Sequence, residues 1–138
     1  MIRQLSIFAE NKKGTMNDIT QVLCDARVNM NTLVTNDSAE YGIIRMLVSD
    51  TDAAVRELTR AGYMCRSEFV IAAEIPDECG SLNGLLSALN LGNINLDYLY
   101  VTYSTLSRRP VAILRCADLT EVEEFLQARG FRLLERLV

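Results

Sequence analysis

Histidine is absent from this chain of 138 residues, and its four cysteines form no CxxC pair. Without histidine, the Ser-His and Cys-His nucleophile arrangements of the familiar hydrolases are excluded. The same absences argue against a zinc site, which is usually built from histidine and closely spaced cysteine ligands. We therefore predict no metal, no cofactor and no catalytic residue. Cys24, Cys65, Cys79 and Cys116 are predicted to be reduced, mostly structural thiols.

Positive charge and long apolar runs are also scarce. The 14 Lys and Arg residues are outnumbered by 18 Asp and Glu, which gives a net charge of −4 and a pI near 4.8. This balance disfavours binding to nucleic acid and to anionic membranes. No stretch approaches 18 apolar residues, and the amino-terminal sequence MIRQLSIFAENKK has no secretory core. The sequence therefore predicts a cytoplasmic protein.

The chain contains a weak internal repeat. A shift of 66 residues aligns Gly14-Thr15-Met16 with Gly80-Ser81-Leu82 and Val28-Asn29 with Ile94-Asn95. A further two-residue adjustment aligns later pairs, including Gly62 with Gly130. Repeats of this kind indicate duplicated structural units. We predict two units, residues 1–69 and 70–138.

Each unit is predicted to follow the order strand, helix, strand, strand, helix, strand. In the first, alternating apolar residues from Leu5 indicate a strand, and Met16 to Ala26 has helical periodicity. The later elements are two strands at 28–35 and 43–49 around an Asn36–Gly42 turn, a helix at 52–61 ending at Gly62, and a strand at 63–71.

In the second unit we predict strands at 69–75, 94–103 and 111–116, a helix at 81–91, and a last helix opened by a Thr120–Glu123 capping box. A closing strand is expected to extend through Val138. The fold class is therefore α+β, with two ferredoxin-like βαββαβ units in tandem. Each unit should carry its helices on one face of an antiparallel sheet.

The two strand-to-helix elbows, ENKKGTM and PDECGSL, combine a glycine with a threonine or serine that is expected to cap the helix. A helix amino-terminus also exposes unpaired N–H groups and a positive dipole end, which suit a small carboxylate. Both interpretations, a purely structural turn and an anion-binding loop, follow from the same residues.

The elbows and the segments after the helices together resemble the ACT domain, a ferredoxin-like module that senses amino acids in many metabolic enzymes. Asn11 to Gly14 and Asp77 to Gly80 match the family's first loop, although Lys13 and Cys79 replace its usual proline. Val28-Asn29-Met30 and Ile94-Asn95-Leu96 match the family's entry into the second strand.

The resemblance implies a ligand site at the two loops. Asn11 and Asp77 are expected to meet the ligand's ammonium group, with Cys79 beside them, and Asn29, Asn95 and Leu96 to lie across the cleft. Two backbone segments, Gly14-Thr15-Met16 and Gly80-Ser81-Leu82, are expected to hold its carboxylate. Because Asp77 is ionised and Asn11 is neutral, the second loop is the favoured one. Lys12 and Lys13 are predicted to be solvated loop surface.

The predicted function is a non-enzymatic regulatory protein that binds an amino acid between modules and signals its occupancy to a partner, such as a metabolic enzyme. Homodimerisation is expected because such modules often pair. Two alternatives remain at this stage. One is a purely structural or protein-interaction module, and the other is a small cysteine-dependent enzyme using Cys79. An RNA-recognition module shares the element order, but Gly42–Val48 offers aliphatic residues where base-stacking aromatics are needed.

Overall fold

The computed structural model describes residues 1–36 and 41–138, and these form seven strands and four helices. They divide into two compact units. The N-terminal unit is Arg3–Glu68, and the C-terminal unit consists of Met1–Ile2 with Phe69–Val138. Part of the predicted turn Asn36–Gly42 lies outside the described residues.

The N-terminal unit contains β1 (Ile2–Glu10), α1 (Thr15–Asp25), β2 (Met30–Thr35), β3 (Tyr41–Val48), α2 (Thr51–Arg60) and the first part of β4 (Met64–Glu74). Its strand order is β2-β3-β1-β4, and β3 runs antiparallel to both β1 and β2. The helices cover one sheet face, where alternate β1 residues are buried in a core made by Leu5, Ile7, Ala9, Ile19, Leu23, Val28, Ile44, Met46, Ala54 and Leu58.

The C-terminal unit repeats this plan with the last part of β4, α3 (Ser81–Leu91), β5 (Tyr98–Ser104), β6 (Arg109–Arg115), α4 (Leu119–Ala128) and β7 (Arg132–Leu133). Its strand order, β5-β6-β4-β7, is equivalent to that of the first unit. Its core is formed by Ile71, Ala73, Ile75, Leu85, Leu89, Ala112, Leu114, Cys116, Val122 and Leu126. The predicted tandem ferredoxin-like fold is confirmed.

The carboxyl ends of the helices explain why some strands begin later than expected. The Val28 N–H donates to the Leu23 carbonyl, and Arg27 between them adopts a left-handed φ of 57°. Ile94 and Leu89 repeat this bond. This pattern is the Schellman ending, in which a hydrophobic residue just after the helix folds back on the last turn. Val28 and Ile94 therefore close helices, and the strands begin at Met30 and Tyr98.

Three other expectations need correction. The strands predicted at 63–71 and 69–75 are one strand, β4, whose residues are shared between the two units. The last helix is capped by Asp118, whose carboxylate accepts a hydrogen bond from the Glu121 N–H at 3.0 Å, and not by Thr120. The closing strand is only Arg132–Leu133, although the Leu134 N–H still donates to the carbonyl of Ala72.

Candidate functional site

The β1–α1 loop turns sharply at Gly14, which has a left-handed φ of 91°. Its carbonyl accepts the N–H of Asp18 at 2.9 Å, so Gly14 is the N-cap residue of α1. The Thr15 N–H donates to the Lys12 carbonyl at 3.3 Å, which closes the loop. A side chain at Gly14 is disfavoured by the backbone conformation alone, because its added Cβ would meet no atom within 4 Å.

The β4–α3 loop of the C-terminal unit has the same backbone geometry. Gly80 has a φ of 90°, its carbonyl accepts the N–H of Gly84 at 2.9 Å, and the Ser81 N–H donates to the Glu78 carbonyl at 3.3 Å. The repeat inferred from the sequence therefore extends to individual hydrogen bonds at the two elbows. Differences between the two loops must come from their side chains.

Neither Thr15 nor Ser81 caps its helix, contrary to expectation. The capping position belongs to Gly14 and Gly80, which have no side chain with which to accept a hydrogen bond. The Ser81 hydroxyl is buried and finds no hydrogen-bond partner among the described residues. The amino-termini of α1 and α3 therefore lack the side-chain oxygen that usually satisfies first-turn N–H groups.

A cavity of about 130 Å³ lies beside the first loop. It is bordered by the end of β1 and the loop that follows, by the first residues of α1, by the end of β2 and by the start of β3. Of the predicted site residues, Asn11, Thr15 and Met16 line it. The full lining is Ala9, Glu10, Asn11, Lys12, Thr15, Met16, Thr35, Asn36, Gly42, Ile43 and Ile44.

A more open cavity of about 360 Å³ lies on the other side of the same loop. Thr15 is 8% exposed and, with Ala9, Glu10 and Lys12, borders both cavities. The rest of the second lining comes from α1, from Phe8 on β1, and from the α2–β4 connection. The loop therefore lies between the two cavities.

The charged side chains at the first cavity neutralise each other. The Lys12 ammonium lies 3.0 Å from Glu10 Oε2, and both side chains are largely exposed. Lys12 was expected to be solvated surface, and it also borders both cavities. Because the two charges are paired, the cavity presents mainly amides, hydroxyls and aliphatic groups to its contents.

In the second loop, Asp77, Cys79 and Gly80 are exposed. Ser81 is half-buried, and Leu82 packs against the core of the C-terminal unit. The preference for this loop rested on the charge of Asp77, and nothing in the structure tests that preference. The cavity of about 130 Å³ lies at the first loop.

Asn29 does not approach the loop of its own unit. The register pairs Glu10 with Tyr41 at one end of the sheet and Met30 with Val48 at the other. Asn29 lies just before Met30, where the side-chain amide donates to Asn31 Oδ1 at 3.1 Å. Since β2 alone is six residues long, the two ends are separated by about 20 Å.

Asn95 and Leu96 occupy the corresponding position in the C-terminal unit. They precede β5, whose first residue Tyr98 pairs with Arg115, whereas the loop follows Glu74 opposite Val111. Within one unit, therefore, the structure brings the loop residues together and leaves the two asparagines at the opposite end.

Several lining residues of the first cavity were missed by the sequence analysis, namely Ala9, Glu10, Thr35, Asn36, Gly42, Ile43 and Ile44. Their strands were predicted, but the pairing that brings the end of β2 beside the loop was not. The register Ala9–Gly42 and Thr35–Ile44 supplies that information. The small size of Ala9 and Gly42 was the signal available in the sequence.

Other kinds of site find little support in the described part of the chain. Residues 1–36 and 41–138 contain no group of three or more Cys, Asp or Glu placed to hold a metal ion. None of the four helices described is long and apolar enough to cross a membrane.

Comparison with protein families matches residues 1–134 to a model described as an ACT domain pair. A search of curated proteins finds no match. Among solved structures, protein BT0572 from Bacteroides thetaiotaomicron is 28% identical with a TM-score of 0.88, and the alignment covers 96% of this chain and 91% of that one.

The fold is also similar to that of aspartate kinase regulatory subunits. The ligand-free subunit from Thermus thermophilus aligns with a TM-score of 0.67 at 11% identity, covering 92% of this chain and 89% of that one. The subunit from Thermus flavus aligns with a TM-score of 0.63 at 11% identity, over 91% of this chain and 88% of its own. At this identity the likeness concerns the fold alone.

Proposed function

Since this chain belongs to the family of ACT domain pairs, we propose that it is a regulatory protein that binds a free amino acid at its strand-to-helix loops. In this proposal it has no catalytic role, and occupancy of the site is communicated to a partner protein. The observation that carries the proposal is the cavity at the first loop, which lies directly beside the amino-terminus of α1.

The chemistry of this cavity suits a zwitterion. N–H groups in the first turn of a helix attract a carboxylate, and the dipole contributes about 0.3–1 kcal/mol at an exposed site. Gly14 supplies no side chain to compete for those groups. In this proposal the side-chain carbonyl of Asn11, which also lines the cavity, accepts a hydrogen bond from the ligand's ammonium group.

The size of the cavity favours a small ligand. Its volume of about 130 Å³ is below the roughly 300–1,000 Å³ that is typical of sites for drug-sized molecules. A volume of this order matches a single amino acid better than a nucleotide or an extended cofactor. The Asn29 and Asn95 side chains contribute in this proposal only from a neighbouring module, because each lies far from the loop of its own unit.

Signalling follows from differential binding. A ligand shifts the equilibrium between two arrangements of a protein only to the extent that it binds them with different affinity. A site completed by a second module has this property, since the ligand contacts both modules only when they are correctly placed. We propose that a partner enzyme recognises the ligand-bound arrangement, and that the protein acts as a homodimer.

A thermal-shift screen against the common amino acids, each in large excess, tests the proposal. A ligand at about 100 times its Kd adds roughly 2.7 kcal/mol of stability, which raises the Tm of a protein of this size by several degrees. Asn11→Ala should reduce that shift. Asp77→Ala is the matched change in the other loop and reports whether the second loop takes part.

The backbone contribution is tested with Gly14→Val and Gly80→Val, which place a branched side chain at equivalent positions of the two loops. Loss of the ligand-dependent shift in a variant that still folds, as judged by circular dichroism, identifies the loop used. If no amino acid changes the Tm of the parent protein, or if all four variants bind as the parent does, the proposed site is wrong.

A further inference from the structure

The cross-strand pair of residues beside each loop differs in size between the two units. In the N-terminal unit, Ala9 at the end of β1 pairs with Gly42 on β3, and both border the cavity of about 130 Å³. The alternation along the strands places these two residues on the helix-covered face, together with Ile7 and Ile44 of the core. The cavity therefore adjoins the position where this face carries its smallest side chains.

The equivalent pair in the C-terminal unit is Ile75 and Pro110. The repeat aligns Ile75 with Ala9 and Pro110 with Gly42, and the structure agrees, because the Ile75 N–H donates to the Pro110 carbonyl at 3.0 Å. Ile75 is 4% exposed and belongs to the core cluster. A branched side chain and a proline ring thus replace a methyl group and a hydrogen atom.

We propose that the chain has a single amino-acid site, at the first loop, and that Ile75 and Pro110 close the corresponding space at the second. This inference rests on the proposed function. It assigns Ala9 and Gly42 as the residues that determine whether a loop is able to hold a ligand. In this proposal Asp77 is an exposed surface residue of the second loop and does not bind a ligand.

The same cavity indicates the class of amino acid. Its aliphatic lining comes from Ala9, Met16, Ile43 and Ile44, and its two charged groups, Glu10 and Lys12, are paired at 3.0 Å. A charged ligand side chain entering this space loses its hydration and meets no unpaired countercharge in the lining. The site therefore takes a small neutral amino acid with an aliphatic side chain, such as alanine or valine.

Isothermal titration with L-alanine and L-valine tests the stoichiometry and the class. One molecule should bind per chain, and L-lysine, L-aspartate and L-tryptophan should bind at least tenfold more weakly than the better aliphatic ligand. Ala9→Ile should abolish binding. The double variant I75A/P110G should gain a second binding event, and it should retain the first site because neither residue borders that cavity.

Melting of the ligand-free variants provides a second measurement that does not depend on identifying the ligand. Ala9→Ile extends into existing space, so its Tm should stay close to that of the parent. Ala54→Ile inserts the same side chain at a fully buried position of the same core, and overpacking there should lower the Tm by several degrees. If the Tm falls equally in both variants, the side chain at position 9 has no free space beside it, and the proposal is overturned.

The outcomes separate the two proposals. Binding of two molecules per chain overturns the single site. Loss of binding in I75A/P110G with retention in Ala9→Ile overturns its location at the first loop. Either result leaves an amino-acid-binding protein. Preferred binding of a charged or aromatic amino acid overturns the ligand class only. If the parent binds none of the common amino acids, the proposed function fails, and the single-site inference fails with it.

Discussion

The Asp50 carboxylate accepts a hydrogen bond from the Ala53 backbone N–H at 2.9 Å, which caps the first turn of α2. Asp118 makes the same contact with Glu121 at the start of α4. The other helix of each unit begins instead at a glycine, Gly14 or Gly80. The second helix of each unit is thus capped by an aspartate side chain. The first helix has no side-chain cap, and its first-turn N–H groups face the loop.

Removing either aspartate cap should destabilise the protein without affecting ligand binding. Replacing an N-cap aspartate with alanine typically costs about 0.5–2 kcal/mol, so D50A and D118A should each lower the urea midpoint. Thr120→Ala is the control, because Thr120 lies inside α4 and is exposed. It should be neutral or slightly stabilising, and a loss as large as that of D118A would contradict the assigned cap.

Gly14→Ala and Gly80→Ala should destabilise the protein by similar amounts. The two glycines have φ values of 91° and 90°, and an added Cβ meets no atom within 4 Å at either position. The cost is therefore purely conformational, about 1–2 kcal/mol for an L-residue in the left-handed region. Chemical denaturation of both variants measures it.

Gly84→Ala provides the matched control for these glycines. Gly84 lies inside α3 without a positive φ, and its added Cβ also meets no atom within 4 Å. Alanine is favoured over glycine in a helix interior by about 1 kcal/mol, so this variant should gain stability. A gain at Gly14 or Gly80 would show that the left-handed turn is not required.

The ends of the helices show how far the sequence predicts the fold. Gly62 was identified as a helix terminator because glycine is the usual residue at this left-handed position, and its φ of 93° agrees. Arg27 and Asn93 occupy the same position after the first helix of each unit, with φ values of 57° and 54°. A non-glycine residue gives no clear signal there, so the strands were predicted to begin too early.

The cap of α4 illustrates a different limit. Asp118 and Glu121, like Thr120 and Glu123, fit the spacing of a capping residue and a glutamate three positions later. Spacing alone does not decide which of the two residues caps the helix, and the structure assigns the cap to Asp118. The cavity depends in the same way on strand register, because Ala9 and Gly42 are far apart in the sequence and come together only when β1 and β3 pair.

Cys116 should remain unreactive in the folded protein while Cys24 and Cys79 react. Cys116 is 1% exposed, whereas Cys24 and Cys79 are exposed and Cys65 is half-buried. With a disulfide reagent at neutral pH, Cys24 and Cys79 should be modified rapidly, Cys65 more slowly, and Cys116 only after urea is added. Rapid loss of Cys116, identified by mass spectrometry of peptides, would show that its burial is wrong.

The same thiol predicts a loss of stability at alkaline pH. Burial raises the pKa of Cys116 above its ordinary value. The unfolded chain therefore releases this proton at a lower pH than the folded chain, and the stability is lost as the pH rises above about 8.5 towards the folded pKa. Cys116→Ala should unfold with a weaker pH dependence in this range than the parent.

Replacing Glu74 with methionine should leave the protein as stable as the parent or make it more stable. The Glu74 side chain is 3% exposed, and its Oε1 lies 3.5 Å from Arg109 and 3.8 Å from Arg132. Its Oε2 is buried without a hydrogen-bond partner among the described residues. Both arginines are mostly exposed, so solvent screens their attraction to the carboxylate. That attraction therefore only partly offsets the hydration that the buried carboxylate has lost.

Removing the arginines should have the opposite effect, because it leaves the buried carboxylate without any countercharge. Because both arginines are mostly exposed, the loss is smaller than for a fully buried pair, but the double variant R109A/R132A should still unfold at a lower urea concentration than E74M. Arg136→Ala, a change of an exposed arginine in the terminal segment, is the control for removing an arginine that does not approach Glu74. If E74M is the less stable of the two, Glu74 contributes favourably to the folded state, and the unpaired oxygen has a partner that the hydrogen-bond pattern does not reveal.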